Sequence, residues 1–344
     1  MNHNGQAIGW QMSDTDGRLI SLDVRRHPLV TQVGVVMAQA GYGSNDVILA
    51  AVSGGRDSLA LALALTALVR RGDLGSLVIG HVNHHVRVEA DQEAAHVRDL
   101  GERIGIPVAE SHLPLDVDRR PTQLRAMRYE ALATMARAWK AKAVATGHHA
   151  QDQLETILLS LVRGAGPVGL GGMACSRPLD DEIALIRPML QCQREEAAAL
   201  CGLAGVDWCD DPGNESPDSL RGRLRQDVLP VLESLRPGVS RRVAAGAELQ
   251  QAAAEALRNS VPVPEDGRWF RNALSAVSSP LRRAAIYAAA VELTDHVDRL
   301  SSAAMQSAAE AVGDEKMHQR RFELGGNVLL TVQAEDVQIT QATS

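Results

Sequence analysis

The sequence predicts an α/β protein with a doubly wound, mostly parallel β-sheet, followed by a smaller helical domain and a short C-terminal β-hairpin. Three observations predict this architecture. Short apolar runs alternate with helical patterns in the first half, alanine-rich helical patterns fill most of the second half, and the tail alternates apolar with polar residues. The predicted boundaries are 1–44 for a leader and helix, 45–192 for the α/β domain, 193–318 for the helical domain and 319–344 for the β segment.

The elements of the α/β domain follow a regular order. Residues 28–41 predict an amphipathic helix. Four apolar runs predict strands: VILAAV (47–52), LVIGHV (77–82), PVAESHL (107–113) and AVAT (143–146). The helices predicted after them cover 58–70, 91–103, 122–139 and a stretch ending near 161. Strands that alternate with helices form right-handed parallel βαβ units, so ligands are expected at the carboxyl ends of the strands.

The residue composition changes after residue 161. RGAGPVGLGGM is rich in glycine, and IALIRPML predicts a strand that closes the first domain. Residues 193–204 and 220–235 predict helices on either side of the turn-rich segment DDPGNESPD, and helical patterns continue to about residue 313. In FELGGNVLLTVQAEDVQIT, the residues Gly325, Gly326 and Asn327 predict the turn of a hairpin.

Composition limits the functional classes. The chain has 344 residues, 45% hydrophobic and 22% charged, with a net charge of −7. This negative net charge argues against polyanion binding by the whole surface, although a local basic patch can still bind phosphates. Lysine occurs only at positions 140, 142 and 316, so arginine supplies nearly all the positive charge. No stretch predicts a membrane span or a signal peptide, so we expect a cytoplasmic protein without a membrane partner; the oligomeric state, including a homodimer, stays open.

The cysteines predict no disulfide or metal site. Cys175, Cys192, Cys201 and Cys209 show no CxxC spacing. A reduced protein of this size does not need disulfides, so we interpret them as core or incidental thiols.

The segment SGGRDS (53–58) is the strongest local signal for chemistry. It lies between a predicted strand and a predicted helix, where unpaired backbone N–H groups and the helix dipole favour an anion. Gly54 and Gly55 let the backbone approach the ligand, while Ser53 and Ser58 offer hydroxyl groups. Asp57 would repel a phosphate unless a cation lay between them, so the segment predicts a nucleotide with Mg²⁺. A simple N-capped turn is the alternative interpretation.

SGGRDS resembles the SGGxDS loop of the N-type ATP pyrophosphatases, the PP-loop family. The resemblance implies a Rossmann-like PP-loop domain in which the loop holds the β- and γ-phosphates of ATP and leaves the α-phosphorus open to attack. The residues expected to bind the nucleotide are Ser53, Gly54, Gly55, Arg56, Asp57, Ser58, His81, Asn83 and His84.

Three further blocks resemble the tRNA(Ile)-lysidine synthetases within that family. They are GHVNHHVRVEADQEAAHV, TQLRAMRYEAL and GHHAQDQLETILLSLVRGAGPVGLGGM. IRPML and DDPGNES followed by RGRLRQDVLPVL continue the resemblance, which covers roughly residues 45–235 and becomes weak after about 240. It implies that ATP adenylates the wobble cytidine in the CAU anticodon of tRNA(Ile), and that L-lysine then attacks C2 of the base.

The resemblance suggests a role for each residue of one helix face. His148, Asp152 and Glu155 are spaced by four and three, so they share a face of the helix after the fourth strand. We expect Asp57 and Asp152 to support Mg²⁺, His148 to contact the α-phosphate or AMP, and Glu155 to orient or deprotonate the lysine amine. A polar face merely exposed to water, with His148 as a cap, is the alternative.

The candidate RNA or substrate contacts are Arg87, Arg125, Arg128, Arg163 and Arg225. Arg119 and Arg120 lie near Arg125 and Arg128 in the sequence. Four of the five candidates have an alternative interpretation without a function. Arg125 and Arg128 could be solvated charges on a helix, Arg163 could belong to a domain linker, and Arg225 could form a surface ion pair. Arg221, Arg223 and Arg225 are spaced by two, so all three cannot bind one group from a regular helix. Gly222 replaces the asparagine typical of the family. Trp139 and Trp208 are more typical of a core than of base stacking.

Three other functions share part of this pattern. A tRNA thiolation enzyme would normally need a reactive cysteine near the nucleotide, and no cysteine precedes Cys175. An ammonia-using amidation enzyme shares SGGxDS but not the histidine-containing blocks. A non-catalytic adenine-nucleotide-binding module would not need Asp57, His148, Asp152 and Glu155 together.

Overall fold

The computed structural model describes residues 19–83, 90–114, 121–163, 166–209, 219–294, 299–314 and 319–342. The chain divides into two compact units. The first comprises Met1–Leu159 and Gly172–Ala247, and the second comprises Ser160–Gly171 and Glu248–Ser344. None of the described helices is both long enough and apolar enough to cross a bilayer.

The first unit contains a six-stranded sheet with flanking helices. Its elements up to the fourth strand are α1 Leu22–Arg26, α2 Pro28–Gln39, β1 Val47–Ala51, α3 Arg56–Arg71, β2 Ser76–Asn83, α4 Ala90–Ile104, β3 Val108–His112, α5 Pro121–Ala138 and β4 Ala143–Ala145. The following elements are α6 Ala150–Val162, α7 Pro167–Leu170, β5 Ser176–Pro178, β6 Ala184–Ile186 and α8 Arg194–Ala204, of which α7 belongs to the second unit.

The sheet has the order β3-β2-β1-β4-β6-β5. All neighbours are parallel except β5 and β6. The chain moves outward from β1 through β2 to β3 and then returns to place β4 on the other side of β1. The crevice between the carboxyl ends of β1 and β4 is therefore the switch point at which such sheets bind ligands. The doubly wound, mostly parallel fold predicted from the sequence is confirmed.

The two faces of the sheet bury separate cores. Ile48 and Ala50 of β1 belong to a cluster with α2, α3, α4 and α8. Leu49 and Ala51, which alternate with them, belong to a second cluster with α5. This alternation follows from the two-residue period of a strand. Because both of its faces are covered, the centre of the sheet is continuously apolar in β1 and β4.

A helical segment completes the first unit. Its elements are α9 Leu220–Arg223, a π-helical turn Leu224–Val228, α10 Leu229–Leu235 and α11 Val239–Asn259, which runs beyond the unit. The Glu233 carboxylate accepts hydrogen bonds from the backbone N–H of Gly238 and from the N–H and hydroxyl of Ser240, and so caps the start of α11. Burial alone would raise the pKa of Glu233, but these hydrogen bonds outweigh it and lower the pKa.

The second unit has its own core and a four-stranded antiparallel sheet. Its remaining elements are β7 Arg268–Phe270, α12 Arg271–Ser275, α13 Ser279–Glu292, α14 Ser302–Gly313, β8 Arg320–Gly325, β9 Val328–Val332 and β10 Asp336–Gln341. The strand order is β7-β10-β9-β8. The turn between β8 and β9 falls at the predicted Gly325–Asn327, whose three residues have positive φ. The sequence predicted two strands here, and the structure adds β10 and the short β7.

The buried Arg271 holds the second unit together. Its guanidinium donates to the carbonyl oxygens of Ala311, Val312, Gln333 and Asp314. The first two belong to the last turn of α14, where carbonyl groups lack helical partners. One side chain therefore joins the end of a helix to the strand edge.

Candidate active site

The loop at residues 53–58 connects β1 to α3 at the switch point. Gly54 has φ +91°, which a residue with a Cβ rarely adopts. Gly55 is the N-cap residue of α3, and no side chain caps that helix start. The N–H groups of Ser58 and Leu59 donate to the Gly55 carbonyl oxygen, so those of Arg56 and Asp57 are the first N–H groups of this 16-residue helix that suit an anion.

Ser58 gives the loop its shape. Its hydroxyl accepts from the Ser53 N–H at 3.1 Å and donates to the Gly55 carbonyl oxygen at 2.8 Å. The Cys209 N–H donates to the Gly54 carbonyl oxygen at 3.1 Å from the opposite side. Trp208, next to Cys209, lies under Arg56, whose Cζ is 5.7 Å from the ring centroid. These contacts preorganise the loop.

Gly147 brings the loop after β4 against the start of α3. A Cβ at this position would lie 2.7 Å from the Asp57 carbonyl oxygen, closer than any real Cβ contact. Glycine is therefore required for the two loops to meet. Their contact brings the side chains at the start of α6 beside the loop at 53–58.

His149 lies between two carboxylates. Its Nε2 is 3.5 Å from Asp57 Oδ2, and its Nδ1 is 3.5 Å from Asp152 Oδ2. Burial alone would lower the pKa of His149, but Asp152, Asp57 and Glu155 outweigh it and raise the pKa. Asp152 also accepts the His149 backbone N–H at 3.0 Å. Burial would raise the pKa of Asp152, yet the two histidines, that N–H and Arg225 lower it. These shifts favour a positively charged His149 between two negatively charged carboxylates.

His148 has the opposite electrostatic environment from its neighbour. Its Nδ1 lies 2.9 Å from the Thr146 hydroxyl. Burial lowers the pKa of His148 to about 4, and the guanidinium groups of Arg187, Arg125 and Arg128 act in the same direction against Asp152. The imidazole is therefore neutral at neutral pH, and the pKa values of the two adjacent histidines are shifted in opposite directions.

Glu155 is the buried partner of two arginines. Its side chain is 1% exposed. It accepts from Arg221 Nε at 2.9 Å, from Arg225 Nε at 2.7 Å and from Arg225 Nη2 at 2.9 Å. A second Arg225 contact, at 3.6 Å, reaches Asp152 Oδ1. Both oxygens of the predicted lysine-orienting group are thus engaged by guanidinium donors.

The arginines after Ser219 separate into two groups. Arg221 and Arg225 are four residues apart and meet at Glu155, whereas Arg223 pairs with Asp227 on an exposed surface. The π-helical turn begins directly after Arg223. π-Helical turns of this kind often occur at functional sites.

The carboxyl end of β2 lies on the other side of the loop. His81 is 3% exposed, its Nδ1 is 2.8 Å from the Val52 carbonyl oxygen, and its Nε2 is buried without a hydrogen-bond partner among the described residues. The Asn83 amide donates to Asp91 Oδ1 at 3.2 Å, near the start of α4. His81 therefore keeps one polar atom for a ligand, while Asn83 also holds the following helix.

The other predicted contacts fall in several places. Arg125 and Arg128 lie on α5 near His148. Arg163 is exposed in the second unit. His84, Arg87, Arg119 and Arg120 lie outside the described residues. Among the residues that are described, no group of three or more His, Cys, Asp or Glu side chains is arranged to hold a metal ion.

Three of the cysteines donate hydrogen bonds, and two of them are buried. Burial raises the pKa values of Cys192 and Cys201 to about 12, so both are thiols. Cys192 donates to Gln32 Oε1 at 3.0 Å, Cys201 to the Arg56 carbonyl oxygen at 3.7 Å, and Cys175 to the Arg187 carbonyl oxygen at 3.8 Å. Neither Cys192 nor Cys201 therefore presents a thiolate.

Sequence reasoning missed three residues of this region: His149, Arg187 and Arg221. His149 follows His148 directly and precedes Asp152 by three, a spacing that could have signalled the pair. Arg221 precedes Arg225 by four, which could have favoured a shared partner. Arg187 lies in IRPML, which predicts a strand and continues the family resemblance, and neither of these gives the arginine a role.

Comparison with known proteins agrees with this geometry. The sequence pattern of the PP-loop domain family matches residues 29–232. A tRNA(Ile)-lysidine synthase of Salinispora arenicola is 40% identical over 227 residues, which are 64% of this chain and 67% of that protein. One of Gloeobacter violaceus is 33% identical over 249 residues, 70% of this chain and 75% of that protein.

A solved structure shares the fold. The U34-tRNA thiolase NcsA from Methanococcus maripaludis superposes with a TM-score of 0.55 at 19% identity, covering 65% of this chain and 78% of that one. At this identity the likeness concerns the fold alone.

The fold and the loop at 53–58 thus define a PP-loop protein. Within that class, the chain belongs to the tRNA(Ile)-lysidine synthase family. The resemblance found in the sequence blocks is confirmed.

Proposed function

We propose that the chain joins L-lysine to C2 of the wobble cytidine in the CAU anticodon of tRNA(Ile), using ATP in the cytoplasm and releasing pyrophosphate and AMP. One observation carries the proposal. The uncapped start of α3 lies beside a neutral histidine and a chain of charged groups at the switch point. An adenylation followed by attack of an amine needs these three parts: an anchor for the diphosphate, a neutral contact at the α-phosphate, and acidic groups for the amine.

The loop at 53–58 binds the terminal phosphates in this proposal. The free N–H groups at the start of α3 and the close backbone approach at Gly54 fit phosphate oxygens. The Ser58 hydroxyl is already committed to the loop, so it supports the shape more than it binds the ligand. Phosphate binding here leaves the α-phosphorus near the next strand, where His148 lies.

Asp57 and Asp152 are suited to a magnesium ion. Mg²⁺ is usually held by one or two carboxylates together with substrate phosphates, and these two carboxylates face the same buried histidine. When bound there, the ion supplies charge neutralisation for the phosphates. His149 then links the two carboxylates and fixes their orientation.

His148 acts as a neutral hydrogen-bonding group. The Thr146 hydroxyl engages Nδ1, so Nε2 is the ring atom that remains for the α-phosphate or AMP. A neutral ring adds no charge near the cytosine, and burial, helped by nearby guanidinium groups, lowers the pKa of His148 and keeps the ring neutral. Its contribution is orientation of the phosphoryl group.

Glu155 orients the lysine amine together with Asp152. Its two oxygens are occupied by Arg221 and Arg225, of which Arg221 is the more exposed at 47% against 26%. Withdrawal of Arg221 would leave Arg225 Nη2 as the one guanidinium donor to Oε2, so this oxygen could also accept a hydrogen bond from the amine while Arg225 stays in place. Arg225 contacts both carboxylates and so sets the distance between them.

The reaction is tested with labelled lysine, ATP, Mg²⁺ and a tRNA(Ile) transcript bearing CAU. Label enters the RNA only when all four are present, and Asp152→Asn lowers the rate at least about 100-fold. Asp99→Asn, which loses an exposed carboxylate paired with Arg103, is the matched control and keeps the rate. Transfer without ATP, or equal rates for both variants, contradicts the proposal.

Thiolation is a weaker candidate for this site. The buried thiols of Cys192 and Cys201 are held protonated, and Cys175 donates to a carbonyl group. No second function is proposed.

A further inference from the structure

Arg187 is a buried cation at the carboxyl end of β6. The residue is 4% exposed, and its Nη1 donates to the Ala174 carbonyl oxygen at 2.7 Å. Its side chain also has a hydrogen bond with Tyr129. Among the described residues, its buried Nε has no hydrogen-bond partner and no carboxylate pairs with its guanidinium. Burial lowers the pKa of Arg187. A buried charge without a counter-ion is costly, so its retention needs an explanation.

Three further arginines share charged surroundings with Arg187. The positive charges of Arg125 and Arg177 act on the Arg187 guanidinium, and those of Arg125, Arg128 and Arg187 act on the His148 ring. We call Arg125, Arg128, Arg177 and Arg187 the arginine cluster. Within the described part of the chain, none of the four forms an ion pair with a carboxylate. The cluster therefore has a local excess of positive charge on a chain whose net charge is −7.

Tyr129 organises the outer part of the cluster. Its hydroxyl accepts from Arg125 Nη2 at 3.1 Å. The Cζ atoms of Arg125 and Arg177 lie 5.1 and 5.4 Å from its ring centroid. Arg125 and Arg177 are exposed, Arg128 is half-buried and Arg187 is buried. The cluster thus extends from the surface to a fixed inner charge.

The order of the strands separates the cluster from the diphosphate loop. The loop follows β1, His148 follows β4, and Arg187 follows β6, the next strand along the sheet. Neighbouring strands are about 4.8 Å apart, so Arg187 starts roughly 10 Å from the loop along the sheet edge. The β- and γ-phosphates at the loop lie two strands from Arg187, and an α-phosphate at His148 would bring one negative charge to four cations, so the cluster has positive charge left for a second anion.

The arrangement fits an RNA backbone better than a small carboxylate. Guanidinium groups bind phosphate through paired donors, and the exposed pair is accessible to a strand passing over the surface. A base presented at His148 would place its own backbone phosphates next to the cluster. An RNA strand carries one negative charge at every linkage and can bring several anions to four cations, whereas a small carboxylate brings one.

We propose that the arginine cluster binds a backbone phosphate of the substrate RNA beside the modified nucleotide, with Arg187 as the buried cation that positions the site. This inference rests on the proposed function for the identity of the RNA. It adds Arg177 and Arg187 to the RNA contacts expected from the sequence. It also assigns the ligand chemistry, a phosphodiester, to Arg125 and Arg128.

The test measures RNA and ATP affinities separately. A fluorescent anticodon stem-loop with the CAU sequence is titrated with wild-type protein, Arg177→Gln and Arg187→Gln, and ATP affinity is measured without RNA. Each variant is expected to bind the RNA about tenfold more weakly, with a salt dependence reduced by about 0.7 for one lost phosphate contact. ATP affinity stays within twofold. Arg103→Gln removes an exposed arginine elsewhere and is the control.

RNA with a neutral methylphosphonate linkage locates the contact. Neutralising the linkage next to the wobble cytidine weakens wild-type binding, while Arg177→Gln shows no additional loss with the same RNA. Because Arg177 is exposed, this variant tests the site even where Arg187→Gln fails to fold. Unchanged RNA binding by folded Arg177→Gln overturns the inference, as does a loss confined to ATP, which would assign the cluster to the nucleotide.

The RNA-binding test can fail or succeed independently of the lysine-transfer test. If the RNA affinity depends on the cluster but lysine never enters the RNA, the proposed reaction fails and the phosphate site stands. If lysine transfer occurs and folded cluster variants bind RNA like wild type, the reaction stands and the phosphate site fails.

Discussion

Replacing Glu155 by Gln gives a strong test of the charge network. Glu155 is 1% exposed and accepts three guanidinium N–H groups at 2.7 to 2.9 Å. Gln keeps the shape but removes the charge and turns an NH₂ group toward one arginine. Loss of one partner of a buried pair costs about 3–5 kcal/mol, and the partial exposure of both arginines favours the lower end, about 3 kcal/mol.

Thermal unfolding measures this effect. For a unit of this size, a loss of about 3 kcal/mol lowers the Tm by about 6–12 °C. Glu110→Gln is the matched control, because Glu110 pairs with an arginine that is 52% exposed, and such a pair contributes less than about 1 kcal/mol. Equal Tm values for the two variants would refute the assignment of Glu155 as a buried counter-ion. A large loss of lysine transfer without loss of Tm would make its role purely chemical.

Three further predictions test local features. Gly147→Ala forces a Cβ toward the Asp57 carbonyl oxygen, so ATP-dependent pyrophosphate release falls at least about tenfold, while Gly202→Ala, where the space is open, keeps it; equal activities of the two variants contradict the close approach. Because the hydrogen bonds at the start of α11 lower the pKa of Glu233, its stabilising effect is present above its ordinary pKa of 4.5 and disappears as the pH falls through its folded value. The Tm difference between wild type and Glu233→Gln, followed by calorimetry, therefore shrinks in acid, and a pH-independent difference would be inconsistent with this cap. Arg271→Gln removes donors to the end of α14 and destabilises the second unit by about 2–4 kcal/mol; unchanged amide exchange in α14 argues against that role.

The sheet was predictable because each parallel strand is covered on both faces. The sequence of β1 is one apolar run, and its alternate residues are buried in separate cores on the two faces of the sheet. The loop at 53–58 was predictable for a related reason: a turn between a buried strand and a helix start leaves N–H groups without partners. These features depend on residues close together in the chain.

The pairings across the site depend on distant segments. Glu155 meets arginines 66 and 70 residues later in the chain, through a π-helical turn that no periodicity signals. Arg187 reaches His148 only because β6 lies next to β4 in the sheet. β7 has three residues and pairs with β10, so its strand character comes from its partner. Such contacts follow from the tertiary fold and have no local signature.

The position of ATP is the most direct test of the central claim. A crystal soaked with a non-hydrolysable ATP analogue and Mg²⁺ is expected to show the β- and γ-phosphates on the backbone N–H groups at residues 53–58, with the α-phosphate directed toward His148. Phosphates bound elsewhere, with the start of α3 left free, would contradict the account.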